Sequence, residues 1–186
     1  MKSGMIAAAI VGMFLLICSA PLFSQDKEAP AKPGPMHMLL AKRAGEYTTL
    51  SKFWLKPGGE PIETKGTSKI KTILGGRFLL QENTGTMLGK PFKSFHLEGY
   101  NNVTKKFEAT WAYSQATGML SLVGTSKDDG KTIHYSGSFI NDKGEKQSLH
   151  VKTRIVDDDS FVVELVDKKA DGTKGPKLET TYTRKK

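Results

Sequence analysis

Cysteine is almost absent: the 186-residue chain has one, Cys18. It lies inside the N-terminal apolar segment, so a chain that begins after that segment carries no thiol at all. This excludes a disulfide scaffold, a cysteine nucleophile, a thiolate metal site and a redox couple. Long apolar runs are also missing. The longest, Met5–Cys18, falls short of the roughly 20 residues a membrane helix needs. No HExxH, GxSxG, phosphate-binding glycine loop or dinucleotide fingerprint occurs, so the common catalytic signatures give no purchase. Acids are the scarcer charge, 19 Asp and Glu against 28 Lys and Arg, for a formal net charge of +9. A basic chain can serve nucleic acid or an anionic surface. Here, however, the cations are scattered among acids, and the densest run is the terminal Arg184-Lys185-Lys186. They read as a solvated exterior, not as a nucleic-acid footprint.

What is present begins with export. Lys2 followed by the apolar run and Ser19-Ala20 has the plan of a secretory signal peptide, taken over residues 1–24. Pro21 would hinder cleavage directly after Ala20, which leaves cleavage after Ser24 as the alternative. The expected location is periplasmic or extracellular, without stable membrane insertion once the signal is removed. Cys18 raises a lipoprotein reading, but Ile17 stands where a small residue is expected before a lipidated cysteine, so soluble export is preferred.

Residues 25–35, with Pro30, Pro33 and Pro35, read as a semi-extended tether. A short helix is predicted over Met36–Ala44, with Pro35 at its first turn, an apolar stripe of Met36, Leu39 and Leu40, and Gly45 as its stop. Beyond Gly45 the apolar period drops to two and stays there, and one domain spans 36–186. Ten strands are predicted, near 46–55, 62–74, 77–87, 92–100, 106–114, 119–126, 132–140, 146–156, 161–168 and 177–184. Phe107, Ala109, Trp111 and Tyr113 alternate with polar neighbours, as do Ile133, Tyr135 and Phe139, and Leu149, Val151 and Ile155. Half-buried antiparallel strands read this way because successive side chains point to opposite faces. Short turns put each strand beside its predecessor, and only closure removes the two unpaired edges of such a sheet. The fold class expected is all-β: a ten-stranded up-and-down antiparallel barrel with a short N-terminal capping helix and room inside for one small ligand. A sandwich is the alternative, though it more often uses longer crossings.

A series of ordered motifs supports this. They are His37-Met38 with Leu40, Gly45-Glu46-Tyr47, Pro57-Gly58-Gly59-Glu60-Pro61, Gly75-Gly76-Arg77-Phe78 and Gly89-Lys90-Pro91-Phe92. Gly99-Tyr100-Asn101-Asn102-Val103-Thr104-Lys105-Lys106-Phe107, Trp111, Arg154-Ile155-Val156-Asp157-Asp158-Asp159 and Tyr182-Thr183-Arg184-Lys185 complete them. Together they resemble a bacterial family of exported proteins of unknown function with a calycin-like or nitrobindin-like barrel. The resemblance spans about His37 to Lys185 and implies a lipocalin-like fold without an activity to carry over. That family usually has Trp where this chain has Tyr47, Asp where it has Asn101, and Trp-x-Asp-Ser where it has Trp111-Ala112-Tyr113-Ser114. Two acids implied by the resemblance are therefore neutral here. No histidine aligns with the axial ligand of haem-binding barrels of similar shape, so no cofactor and no metal is expected.

The candidate ligand-binding residues are Arg77, His96, Trp111 and Tyr113. An inward Arg77 could hold a carboxylate bidentately, or pair with Glu82, Glu98 or carbonyls. His96 and Glu98, two apart on one strand, share a face and could serve as an acid–base pair in a hydrolase or isomerase. An exterior ion pair or a hydrogen-bonded histidine is the plainer reading. His37 is expected to pack between helix and barrel mouth, and His134 and His150 to be solvated. Trp54, Trp111, Tyr113 and Tyr135 suit either core or cavity wall. The function expected is binding of a small, partly apolar molecule, with catalysis open.

Overall fold

A computed structural model describes residues 32–140, 144–168 and 174–186. The expected signal peptide and cleavage site, the Cys18 reading and most of the expected tether lie outside the described residues. One helix, α1 (Pro35–Ala41), precedes ten strands: β1 (Gly45–Trp54), β2 (Ile62–Ile73), β3 (Phe78–Met87), β4 (Lys90–Asn101), β5 (Lys106–Tyr113), β6 (Leu120–Ser126), β7 (Thr132–Ile140), β8 (Lys146–Ile155), β9 (Ser160–Lys168) and β10 (Lys174–Arg184). Each strand pairs antiparallel with its sequence neighbours, and β1 pairs with β10 from Tyr47↔Arg184 to Trp54↔Lys177, which closes the barrel. The expected order, count and closure are all observed, and every strand has a paired neighbour on both sides. Among the described residues no helix is long and apolar enough to cross a membrane.

Two details of the sequence reading change. The helix stops at Ala41, with Lys42 as its C-cap, so Gly45 does not terminate it. Gly45 instead opens β1 in a conformation with φ of 153°, against the Arg184 guanidinium, where a Cβ would collide. Arg184 needs that space. It donates to the carbonyls of Lys42 (2.9 Å), Ala44 (2.7 Å) and Asp158 (3.2 Å) and lies 4.9 Å from the centre of the Tyr47 ring. One side chain thus ties the end of the chain to the helix exit and the first strand.

The helix lies across one end of the barrel. The β6–β7 turn reaches it through Gly130 (φ 85°), whose missing Cβ leaves room for Leu39 and Met36. His37 is buried at this end, accepts from the Gly34 amide at 3.0 Å and meets Tyr100 edge-on, as the sequence suggests. The inward residues nearest the helix form the core: Leu40, Tyr47, Ile70, Leu79, Phe107, Leu122, Ile133, Tyr135, Val151, Phe161 and Tyr182. Tyr182 and Phe161 stack at 4.2 Å, and Tyr47 meets Phe161 edge-on at 5.4 Å. The opposite end, where β3 turns into β4 through Leu88-Gly89, is not filled in this way. There the β2–β3 ladder stops at Thr67↔Thr84, although β2 runs on to Ile62 and β3 to Met87.

Candidate functional site in the barrel interior

Three layers succeed one another from the helix towards the opposite rim. The deepest is ionic. Arg43, just past the helix, turns inward and donates through Nη1 to both oxygens of Glu98, at 2.9 and 2.8 Å. Tyr135 donates its hydroxyl to Glu98 Oε1 at 2.5 Å. Arg43 and Glu98 are 6% and 9% exposed, so two opposite charges are held out of water as one neutral unit. Burial by itself would lower the guanidinium pKa, but the charge and hydrogen bond of Glu98, together with Tyr135 and Tyr182, outweigh it and the value is raised. The Tyr135 phenol is pushed well above its ordinary value, first by burial and then by the same carboxylate. Arg43 also lies 4.8 Å from the centre of the Phe161 ring.

The middle layer joins neutral polar groups to two flat rings. Gln81 Nε2 donates to Asn83 Oδ1 (2.9 Å), Asn83 Nδ2 donates to Ser94 Oγ (2.9 Å), and Ser94 Oγ meets His96 Nε2 at 3.2 Å. The His96 imidazole stacks on Trp111 with ring centres 4.4 Å apart and planes within 13°. It is kept neutral, its pKa pushed down to about 3, by desolvation first and by the Arg43 charge second. Cross-strand pairing explains the stack, because His96 on β4 lies directly opposite Trp111 on β5. Tyr182 closes this layer, its phenol raised to about 12 chiefly by burial.

Above it opens a cavity of about 330 Å³. One side is lined by Thr49, Ser51, Thr64, Asn83, Ser94 and Thr180, and Ser51 and Thr180 share a hydrogen bond of 2.9 Å. The other is lined by Trp111, Tyr113, Leu120, Phe139, Leu149, Val163 and Leu165, while Leu178 lies beside Phe53 on the first side. Phe53, Ile62, Met87, Leu88 and Phe92 form the rim. Small-molecule sites occupy roughly 300–1,000 Å³, so the volume is that of a modest ligand.

The structure brings three of the four predicted ligand residues together: His96, Trp111 and Tyr113 all line the cavity. Arg77 does not join them. It has the inward parity of β3, but it precedes the strand, in the β2–β3 turn at the helix-covered end, where Nη1 donates to Leu74 O at 3.1 Å. Parity places a side chain on a face but says nothing of its height along the barrel. The plainer exterior reading of His96 and Glu98 is also corrected, since both point inward. Glu98 is already engaged by Arg43 and Tyr135. His134 and His150 are exposed, as expected. Tyr135 belongs to the core, and Trp54 lies on the outer face beneath Lys177, 4.7 Å from the ring centre. Arg43 went unnoticed in the sequence, although a signal existed: it continues the stripe of Met36 and Leu40 at helical spacing, a cation on an apolar face. Among the described residues no three His, Cys, Asp or Glu side chains gather as a metal site.

A closed up-and-down antiparallel barrel, filled at one end and hollow towards the other, defines the fold class. Within that class the chain belongs to the family described as protein of unknown function (DUF1579), whose model matches residues 32–184. No curated protein sequence matches it. Among solved structures it is similar to the S-type phycobiliprotein lyase CPES from Guillardia theta, with a TM-score of 0.54 at 10% identity over 80% of this chain and 92% of that one. A redesigned β-barrel aligns at a TM-score of 0.40 and 13% identity, over 84% of this chain and all of the design. At such identities the likeness to the lyase is one of fold.

Proposed function

We propose that this protein is an exported binding protein that holds a small, partly apolar molecule in the hollow half of its barrel. The observation that carries the reading is the cavity itself, lined by aromatic and aliphatic side chains with a few converging polar groups. Burial of apolar ligand surface would supply affinity at about 25 cal/mol per Å². Trp111 and Tyr113 offer ring surface, and Ser94, His96 and Asn83 offer hydrogen bonds that fix orientation. The fold shared with a phycobiliprotein lyase is compatible with this role. An enzyme using His96 and Glu98 as acid and base has less support, because both Glu98 oxygens are taken by Arg43 and one also by Tyr135.

The test is titration with an environment-sensitive fluorescent probe, alongside native mass spectrometry of protein purified from its own host. Saturable one-to-one uptake, weakened by filling the cavity with Leu165→Trp, is expected; absence of uptake and of any co-purified molecule would remove the proposal. Export is checked separately by N-terminal sequencing of the mature protein. A start between Pro21 and Gln25 is expected, and an intact Met1 contradicts it.

A further inference from the structure

The wall of the cavity is divided by chemistry along the strand order. Strands β10, β1, β2, β3 and β4 contribute hydroxyls and an amide at mid-height, through Thr180, Ser51, Thr64, Asn83 and Ser94, with Leu178, Phe53, Ile62, Met87 and Phe92 nearer the rim. Strands β6 to β9 contribute only hydrocarbon and one ring, through Leu120, Phe139, Leu149, Val163 and Leu165. Because the strands are consecutive around the barrel, the polar groups at mid-height form one side of the hollow, facing a side that is apolar throughout. Among the described residues, no Asp, Glu or Arg lines either side, and Lys65 is the one lysine at the cavity edge. Lys65 has outward parity, between inward Thr64 and Gly66, and is exposed. The buried charges, Arg43 and Glu98, sit below the His96 layer and neutralise each other.

From this division we infer, building on the binding role proposed above, the class of ligand: an uncharged molecule with its hydrogen-bonding groups along one edge and hydrocarbon along the other. An ion placed here would lose its hydration without gaining a counter-ion, and a buried unpaired charge is among the most unfavourable arrangements a protein interior offers. A pure hydrocarbon would cover the polar side and leave its groups without partners for their remaining capacity. Asn83 uses one of its two N–H donors on Ser94, and each hydroxyl retains a lone pair. A neutral alcohol, phenol, amide or ketone of flat shape satisfies both sides. The neutrality of the His96 imidazole agrees, since it offers an anion no positive charge near neutral pH.

The experiment compares four probes of one skeleton at pH 7 by calorimetry and by naphthyl fluorescence: 2-naphthylethanol, 2-naphthylacetate, 2-naphthylethylammonium and 2-ethylnaphthalene. The alcohol is expected to bind at least tenfold more tightly than either ion, and more tightly than the hydrocarbon. Asn83→Leu should narrow the gap between alcohol and hydrocarbon. Asn83→Asp should turn the preference among the ions towards the ammonium by tenfold or more. If either ion matches the alcohol in the unaltered protein, or the hydrocarbon exceeds it, the ligand class is wrong while the binding role stands. If none of the four binds, the binding role fails and takes the ligand class with it. Circular dichroism of each variant guards the comparison, and the four-probe ranking in unaltered protein decides the matter even if a variant does not fold.

Discussion

The same ten strands build two unlike halves. Near the helix the inward positions carry Tyr47, Leu79, Phe107, Leu122, Ile133 and Phe161, each 2% exposed or less, and the space is full. Near the other rim the inward positions carry Ser51, Thr64, Gly66, Asn83 and Gly85, and the space is hollow. Interiors gain from close packing, so a wall of small and polar residues forgoes stability that the filled half must supply. Gly66 and Gly85 show how the thin wall is made. A Cβ on Gly66 would lie 2.6 Å from Thr84 O and 3.3 Å from Gly85 Cα, so the two strands meet there by backbone alone. The contrast says that stability and the proposed binding role are assigned to opposite ends of one barrel.

The sharpest way to break that contrast is at the ionic floor. Glu98→Ala would leave the Arg43 guanidinium buried without its partner, and a loss of about 3–5 kcal/mol is expected in urea unfolding. The double replacement Arg43→Met with Glu98→Leu should recover most of it, because a neutral apolar pair needs no compensation. Full loss in the double variant would mean that the charges organise the fold beyond their mutual pairing.

Matched leucines compare the halves directly. Leu122→Ala in the filled half should cost about 2–5 kcal/mol, since it opens a void among tight neighbours. Leu165→Ala on the cavity wall should cost less than about 2 kcal/mol, since it enlarges a hollow that already exists. Equal losses in denaturant titration would deny the division.

His96 gives the comparison a pH dependence. Its folded pKa, about 3, lies below its ordinary value of 6.5, so between these values the unfolded chain binds more protons than the folded one. Stability therefore rises with pH through that window, and acidification from pH 6.5 towards 3 destabilises the fold, by up to about 1.4 kcal/mol per pH unit from this group. His96→Gln should flatten that part of the profile relative to unaltered protein. An unchanged slope would show that the imidazole protonates in place within the cavity. The smallest effect is expected from Arg77→Ala. Lying at the far end from the hollow, it should leave probe affinity within about twofold and stability within roughly 1 kcal/mol, measured in the same titrations. A tenfold loss of affinity would return Arg77 to the site.

Much of this was legible in the sequence because strand periodicity is a local property. The runs around Trp111, Tyr135 and Leu149 announce an inward face, and turns such as Asn101-Asn102 and Asp128-Asp129-Gly130 announce where strands end. The observed limits differ from the expected ones by a few residues, most at β10, which begins at Lys174 rather than Lys177. His96, Trp111 and Tyr113 were recognisable as inward-facing candidates for the same reason. Arg77 misled because it shares their parity. Its height along the barrel depends on where β3 begins and on which end the helix covers. Arg43, Asn83, Ser94 and Thr180 were not recognisable as a site, because their partners lie 11 to 129 residues away in sequence, as in Asn83–Ser94, Arg43–Glu98 and Ser51–Thr180.

The chain by itself determined the number of strands, their order and their closure, since alternation, turn chemistry and the need to pair every edge act over short stretches. The tertiary structure alone decided which half is solid, which is hollow, and that the hollow has a polar and an apolar side. Those properties arise where side chains from distant strands reach the same height around a common axis, and no local pattern records that height.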